Sequence, residues 1–112
     1  MQVFFKSRDP QAAELLDLLQ RRTRFVLRRL AWLVPQATVT MSDVNGPRGG
    51  IDKQCQVELK TDVAGTVVVT SVASDWRSAL DEALARAARF VLRLVRRGGD
   101  SRRLRQRAIA LD

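Results

Sequence analysis

The chain reads as a single α+β domain: a two-layer sandwich of β-α-β-β-β-α order, with two helices on one face of a four-stranded sheet. Three observations point there. Two long segments repeat apolar residues at helical spacing, four short ones alternate with period two or are rich in β-branched residues, and three of those strand-like runs lie between the helices. At 112 residues the chain holds one two-layer core and not a second domain. The expected division is a domain over residues 1–97 and a basic C-terminal tail over 98–112.

Gln2–Lys6 (QVFFK) is short, apolar and aromatic, and reads as the first strand. Asp9 and Pro10 supply an N-cap and a first-turn proline. From Gln11 to about Val34, apolar residues recur at Ala12, Leu15, Leu16, Leu19, Val26, Leu27, Leu30, Leu33 and Val34, which predicts one helix ended by Pro35. Residues 37–42 alternate with period two. Residues 54–60 alternate more cleanly, placing Cys55, Val57 and Leu59 on one face and Gln54, Gln56, Glu58 and Lys60 on the other. Asn45, Gly46, Pro47, Gly49 and Gly50 between these runs form a strong turn signal. Residues 62–65 are a second turn, and 66–72 a β-branched strand that completes an antiparallel meander. Ser74 or Asp75 then caps a second helix running to about Arg97, stopped by Gly98-Gly99. The tail beyond is basic and weakly periodic, a helical extension or a disordered segment. The pentapeptide RFVLR occurs at 24–28 and again at 89–93, as two amphipathic helices drawing on the same residue types would give.

The net charge is +8, and its placement matters more than its size. Between Arg86 and Arg107 there are nine arginines against one acid, Asp100, so this segment alone equals the charge of the whole chain. Seventeen of the twenty basic residues are arginine, which favours bidentate contact with phosphate. A polyanion is the economical partner. On a helical wheel, Leu80, Ala83, Leu84, Ala87, Val91, Leu94 and Val95 share a broad face. Arg86, Arg89, Arg93, Arg96 and Arg97 form a ridge on another. Like charges three or four apart repel by roughly a few tenths of a kcal/mol per pair, a cost that an anionic partner would relieve. Early acids and late arginines also suit the helix dipole, which explains part of the pattern without any function. The first helix adds Arg21, Arg24 and Arg28 away from its apolar stripe, with Arg22 and Arg29 near the stripe's edge. Packed side by side, the two helices would merge their arginines into one field that binds phosphates without reading sequence.

Other chemistries find little support. The chain has no histidine and one cysteine, so neither a zinc site nor a Cys/His or Ser/His pair can be built. No catalytic residue, metal or cofactor is expected. Asp43 and Asp52 flank the glycine-rich loop but are a thin basis for a metal nuclease. That loop lacks a P-loop ending and precedes a strand. The exposed strand faces carry Thr, Gln, Glu and Lys, which argues against base stacking on the sheet in the manner of an RNA-recognition motif. Cys55, in phase with Val57 and Leu59, reads as a buried structural thiol, and Trp76 as packing at the helix entry. Leu18, Phe25 and Trp32, seven residues apart, lie on a flank of the first helix; Phe90 and Leu92 widen the apolar area of the second. Either they form a wide core contact or Leu18, Phe25 and Trp32 present a surface for a partner or a second copy. No apolar run approaches bilayer length, and Lys6 and Arg8 follow the first apolar residues instead of preceding them. No membrane partner is expected, and the single cysteine fits a cytoplasmic location.

Residues 42–55, SDVNGPRGGIDKQC, together with DWRSALDEALARAARFV at 75–91, resemble the ribosome hibernation-promoting factor and ribosome-associated inhibitor family, once called sigma-54 modulation proteins, in its short single-domain form. The resemblance covers roughly residues 2–97. It implies the same α+β fold and binding to 16S ribosomal RNA of the small ribosomal subunit, where messenger and transfer RNA would sit, inhibiting translation under stress. By position, Arg86, Arg89 and Arg93 match basic sites on the family's second helix, Arg22 one on its first, and Lys53 the basic position of the loop motif. The sequence ends without the C-terminal dimerisation domain of long members, so ribosome pairing through that domain is not expected; a monomer or weak homodimer is expected. Leu94 and Val95 stand where short members carry polar residues. Two other functions suit the same residues: a general double-stranded RNA or nucleic-acid binder, and a protein-interaction module using the flank of the first helix.

Overall fold

The computed structural model describes residues 1–7, 9–44, 52–62 and 65–111, with side chains as far as Arg97 in the last helix. The elements are β1 (Gln2–Ser7), α1 (Pro10–Glu14), α2 (Leu16–Val26), a single 3-10 turn at Arg28–Leu30, β2 (Gln36–Asp43), β3 (Lys53–Thr61), β4 (Gly65–Ala73) and α3 (Trp76–Leu111). The fold is α+β, with a four-stranded mixed sheet in the spatial order β1-β2-β3-β4. β1 runs parallel to β2, and the other neighbours are antiparallel. The turn residues Asn45, Gly46, Pro47, Gly49 and Gly50 lie outside the described residues.

Register explains which face is buried. Val3, Ala37, Leu59 and Val67 form one cross-strand row, and Phe5, Val39, Val57 and Val69 the next. A third row runs through Ser7, Met41, Cys55 and Ser71. These rows face the helices, and Ala37, Val39, Cys55, Val57 and Leu59 are fully buried. α3 packs over β3 and β4, while α2 lies against β1 and against α3. Leu80, Ala83, Leu84, Ala87 and Val91 fill the space between α3 and the sheet, and Leu94 and Val95 are partly buried at its edge. Each fully buried leucine contributes roughly 1.5–3 kcal/mol relative to exposure.

The first helix is not one continuous helix from Gln11 to Val34. It begins as expected, with the Asp9 carboxylate accepting from the Gln11 amide at 2.8 Å and Pro10 in the first turn. At Leu15 (φ −92°, ψ 4°) the amide is shared between the carbonyls of Gln11 and Ala12, and the helix restarts at Leu16. After Val26 the chain tightens: Leu30 donates to Leu27 and Leu33 to Leu30. Leu27, Leu30 and Leu33 are all buried, and their three-residue spacing suits a 3-10 helix, which brings every third side chain to the same side. The apolar stripe is real, but its last part has a period nearer three than 3.6.

The second helix also departs from expectation. Gly98-Gly99 does not stop it; α3 continues to Leu111. Glycine ends a helix where the backbone turns left-handed. Among the described residues the one positive-φ glycine is Gly65 (φ 73°), at the start of β4. Asp75 is the cap at the other end of α3, accepting from the amide and the hydroxyl of Ser78 at 2.8 Å each.

Candidate nucleic-acid interface

Because α3 buries one stripe on β3 and β4, the arginines of its other face are left in solvent. Arg86, Arg89, Arg93, Arg96 and Arg97 are all exposed. Among the described residues, ion pairs involve only Arg22 and Lys53, so no carboxylate holds any arginine of the ridge. Arg86 is anchored: its guanidinium donates to the Thr70 carbonyl at 3.1 Å and reaches the Ser71 hydroxyl at 3.4 Å. Arg86, Arg89, Phe90 and Arg93 line one side of an open groove of about 420 Å³, and Val68, Val69 and Thr70 of β4 line the other. β4 is an edge strand, so the groove follows the rim of the sheet.

The arginines of the first helical region are used differently. Arg22 donates to Asp81 of α3 at 2.7 Å, tying α2 to α3. Arg21 bonds back to the Asp17 carbonyl at 3.4 Å. Arg28 donates to the Phe25 carbonyl at 2.7 Å and lies 4.1 Å from the centre of the Phe25 ring. Arg24 reaches the Met1 carbonyl beside β1. Arg24 and Arg86 are therefore turned to opposite edges of the sheet, edges that three strand intervals separate by roughly 14 Å. Two exposed charges so placed are separated by more than a Debye length of about 8 Å at physiological salt. These two arginines therefore do not share one field.

Lys53 is also removed from the ridge. It sits opposite Asp43 in the β2–β3 ladder, its Nζ lying 2.8 Å from Asp43 and 3.6 Å from the buried Asp52. The hydrogen bond to Asp43 and the charges of both acids, opposed by desolvation, hold its pKa above the ordinary lysine value. A cation between Asp43 and Asp52 is thus supplied by the protein itself. Among the described residues no group of three or more Cys, Asp or Glu side chains is placed to hold a metal ion.

Leu18, Phe25 and Trp32 are 39, 55 and 77% exposed, so they form no wide core contact. Phe90 and Leu92 are exposed as well. Cys55 and Trp76 are buried, as their positions in the pattern led one to expect. Burial in an apolar layer pushes the Cys55 thiol up to about 12, which keeps it protonated and unreactive. The open sheet face is less polar than the sequence reading held: Phe4, Val68 and Val72 stand on it beside Thr38, Glu58 and Gln54. The signal was present in β1, where Phe4 alternates with the inward Val3 and Phe5. One aromatic on an edge strand does not make a stacking platform.

Among the described residues, no helix is long and apolar enough to cross a membrane. Comparison of the chain with known protein families finds no match, and comparison with curated proteins finds none.

Proposed function

We propose that this is a non-enzymatic, cytoplasmic RNA-binding protein that docks the arginine ridge of α3 on 16S ribosomal RNA of the small ribosomal subunit and so inhibits translation. The observation that carries the reading is a row of five exposed arginines with no carboxylate partner among the described residues. Such a row repels itself until phosphates neutralise it. The β-α-β-β-β-α order and the resemblance of residues 42–55 and 75–91 supply the ribosomal context. Within this reading Arg86, Arg89, Arg93, Arg96 and Arg97 contact phosphates, and Arg21, Arg24 and Arg28 add a weaker flank. Arg22 and Lys53 serve the fold through Asp81, Asp43 and Asp52.

Co-sedimentation with small ribosomal subunits across a salt series, with free duplex RNA as competitor, tests it. Saturable binding that survives the competitor is expected. Binding that passes wholly into the competitor would instead support a general double-stranded RNA binder. A second reading, a protein-interaction module, is favoured by the exposure of Leu18, Phe25 and Trp32. It requires a complex or homodimer that is insensitive to salt and disrupted by Phe25→Asp.

A further inference from the structure

We propose that the groove between α3 and the β4 edge takes one unstacked nucleotide of a single-stranded RNA segment, its base against Phe90 and its flanking phosphates on Arg89 and Arg93. This rests on the RNA-binding reading above and specifies the kind of RNA contact made there.

Phe90 is the residue that needs explaining. Phe90 is 47% exposed and lines the groove beside Arg86, Arg89 and Arg93, at the border between the buried stripe of α3 and its arginines. Arg86 precedes it by four residues and Arg93 follows by three, so both are its neighbours on the helix surface. Across the groove stands Val69, a partly buried side chain of the helix-facing row. The site therefore joins an exposed aromatic face and an aliphatic wall to three guanidinium groups. A duplex phosphate rail would satisfy the arginines, but its bases stay stacked and out of reach of the ring. An acidic peptide would satisfy the arginines and leave the ring in water. A single-stranded nucleotide meets both demands, because each base has a π face and each linkage a negative charge. The volume of about 420 Å³ falls in the lower part of the range for small-ligand sites, which suits one nucleotide better than several.

The walls are fixed in advance. Arg86 is held by the Thr70 carbonyl and the Ser71 hydroxyl. Since the Thr70 carbonyl faces out from the edge strand, the alternation of the antiparallel ladder turns its amide N–H the same way. That leaves a backbone donor at the rim for a base edge or phosphate.

The test compares affinities of the full chain for a short single-stranded RNA and for a duplex of equal length. Phe90→Ala is expected to weaken single-strand binding roughly tenfold or more. Duplex affinity and the salt slope should stay unchanged, and Phe90→Tyr should retain tight binding. Arg93→Glu should weaken both RNAs and reduce the salt slope. Since Phe90 is exposed, its variants should keep the parent's melting temperature, which shows that the fold is intact. Equal loss on both RNAs, or no loss on either, would overturn the proposal. So would a polyglutamate chain that displaces the single strand as well as RNA does. Small-subunit binding indifferent to Phe90→Ala would remove this inference alone, whereas a parent protein that binds no RNA would remove the RNA-binding reading too.

Discussion

Asp75 shows what one residue does at the mouth of a long helix. Its carboxylate accepts from the amide and hydroxyl of Ser78, and these bonds hold its pKa below the ordinary 3.8. A depressed folded-state pKa gives stabilisation that is present above the unfolded value and lost as pH falls through the folded one. Asp75→Ala should therefore lower the melting temperature at neutral pH, and the gap from the parent should close as pH drops below about 4. Cys55 has the opposite sign. Its folded pKa is raised from 9.0 to about 12, so the unfolded chain loses the proton first and stability should fall as pH rises across that interval. At pH 8 a thiol reagent should leave Cys55 unmodified in the native protein and react on unfolding; rapid native-state modification would contradict its burial. Both residues were legible in the sequence, one by capping chemistry and the other by strand alternation. Thr23 was not: it is fully buried, its hydroxyl donating to the Leu19 carbonyl at 2.8 Å. A threonine bonded to its own helix imitates an apolar residue, and composition does not reveal that.

Among the elements, the strands were read within a residue at each end, because period two gives a sharp signal wherever one face is buried. The C-terminal ends of the helices were not. Leu27, Leu30 and Leu33 fit a helical stripe and a 3-10 turn almost equally well, and only packing in the core decides between them. Gly98-Gly99 looked like a stop because the sequence does not say whether a glycine turns left-handed. The layer between α3 and the sheet can be tested directly. Leu84→Ala should destabilise by about 2–5 kcal/mol, measured by chemical denaturation, since the side chain is fully buried between two rigid elements. The Arg22–Asp81 pair between α2 and α3 is different. Both side chains are about a third exposed, so a double-mutant cycle should return roughly 1 kcal/mol or less. A larger coupling would mean that Arg22 does more than tether the two helices.

For the whole molecule, charge placement separates function from stability. The paired cations, Arg22 and Lys53, are tied to Asp81, Asp43 and Asp52, while the ridge on α3 meets no acid among the described residues. The sequence pattern carried the ridge itself, since helical spacing alone aligns Arg86, Arg89 and Arg93. It did not carry the separation of Arg24 from Arg86, which follows from α2 lying against β1 while α3 covers β4. Nor did it carry the groove, which exists because an edge strand and a helix meet at Phe90. Reversing charge on the ridge should leave the fold in place and remove binding; reversing it on α2 should do much less. The most direct measurement is co-sedimentation with small ribosomal subunits of three proteins at equal salt: the parent, Arg89→Glu/Arg93→Glu, and Arg21→Glu/Arg24→Glu. The expected result is binding lost in the first double variant and largely kept in the second, with all three melting at similar temperatures. Undiminished binding by Arg89→Glu/Arg93→Glu would contradict the assignment of the α3 ridge as the RNA surface.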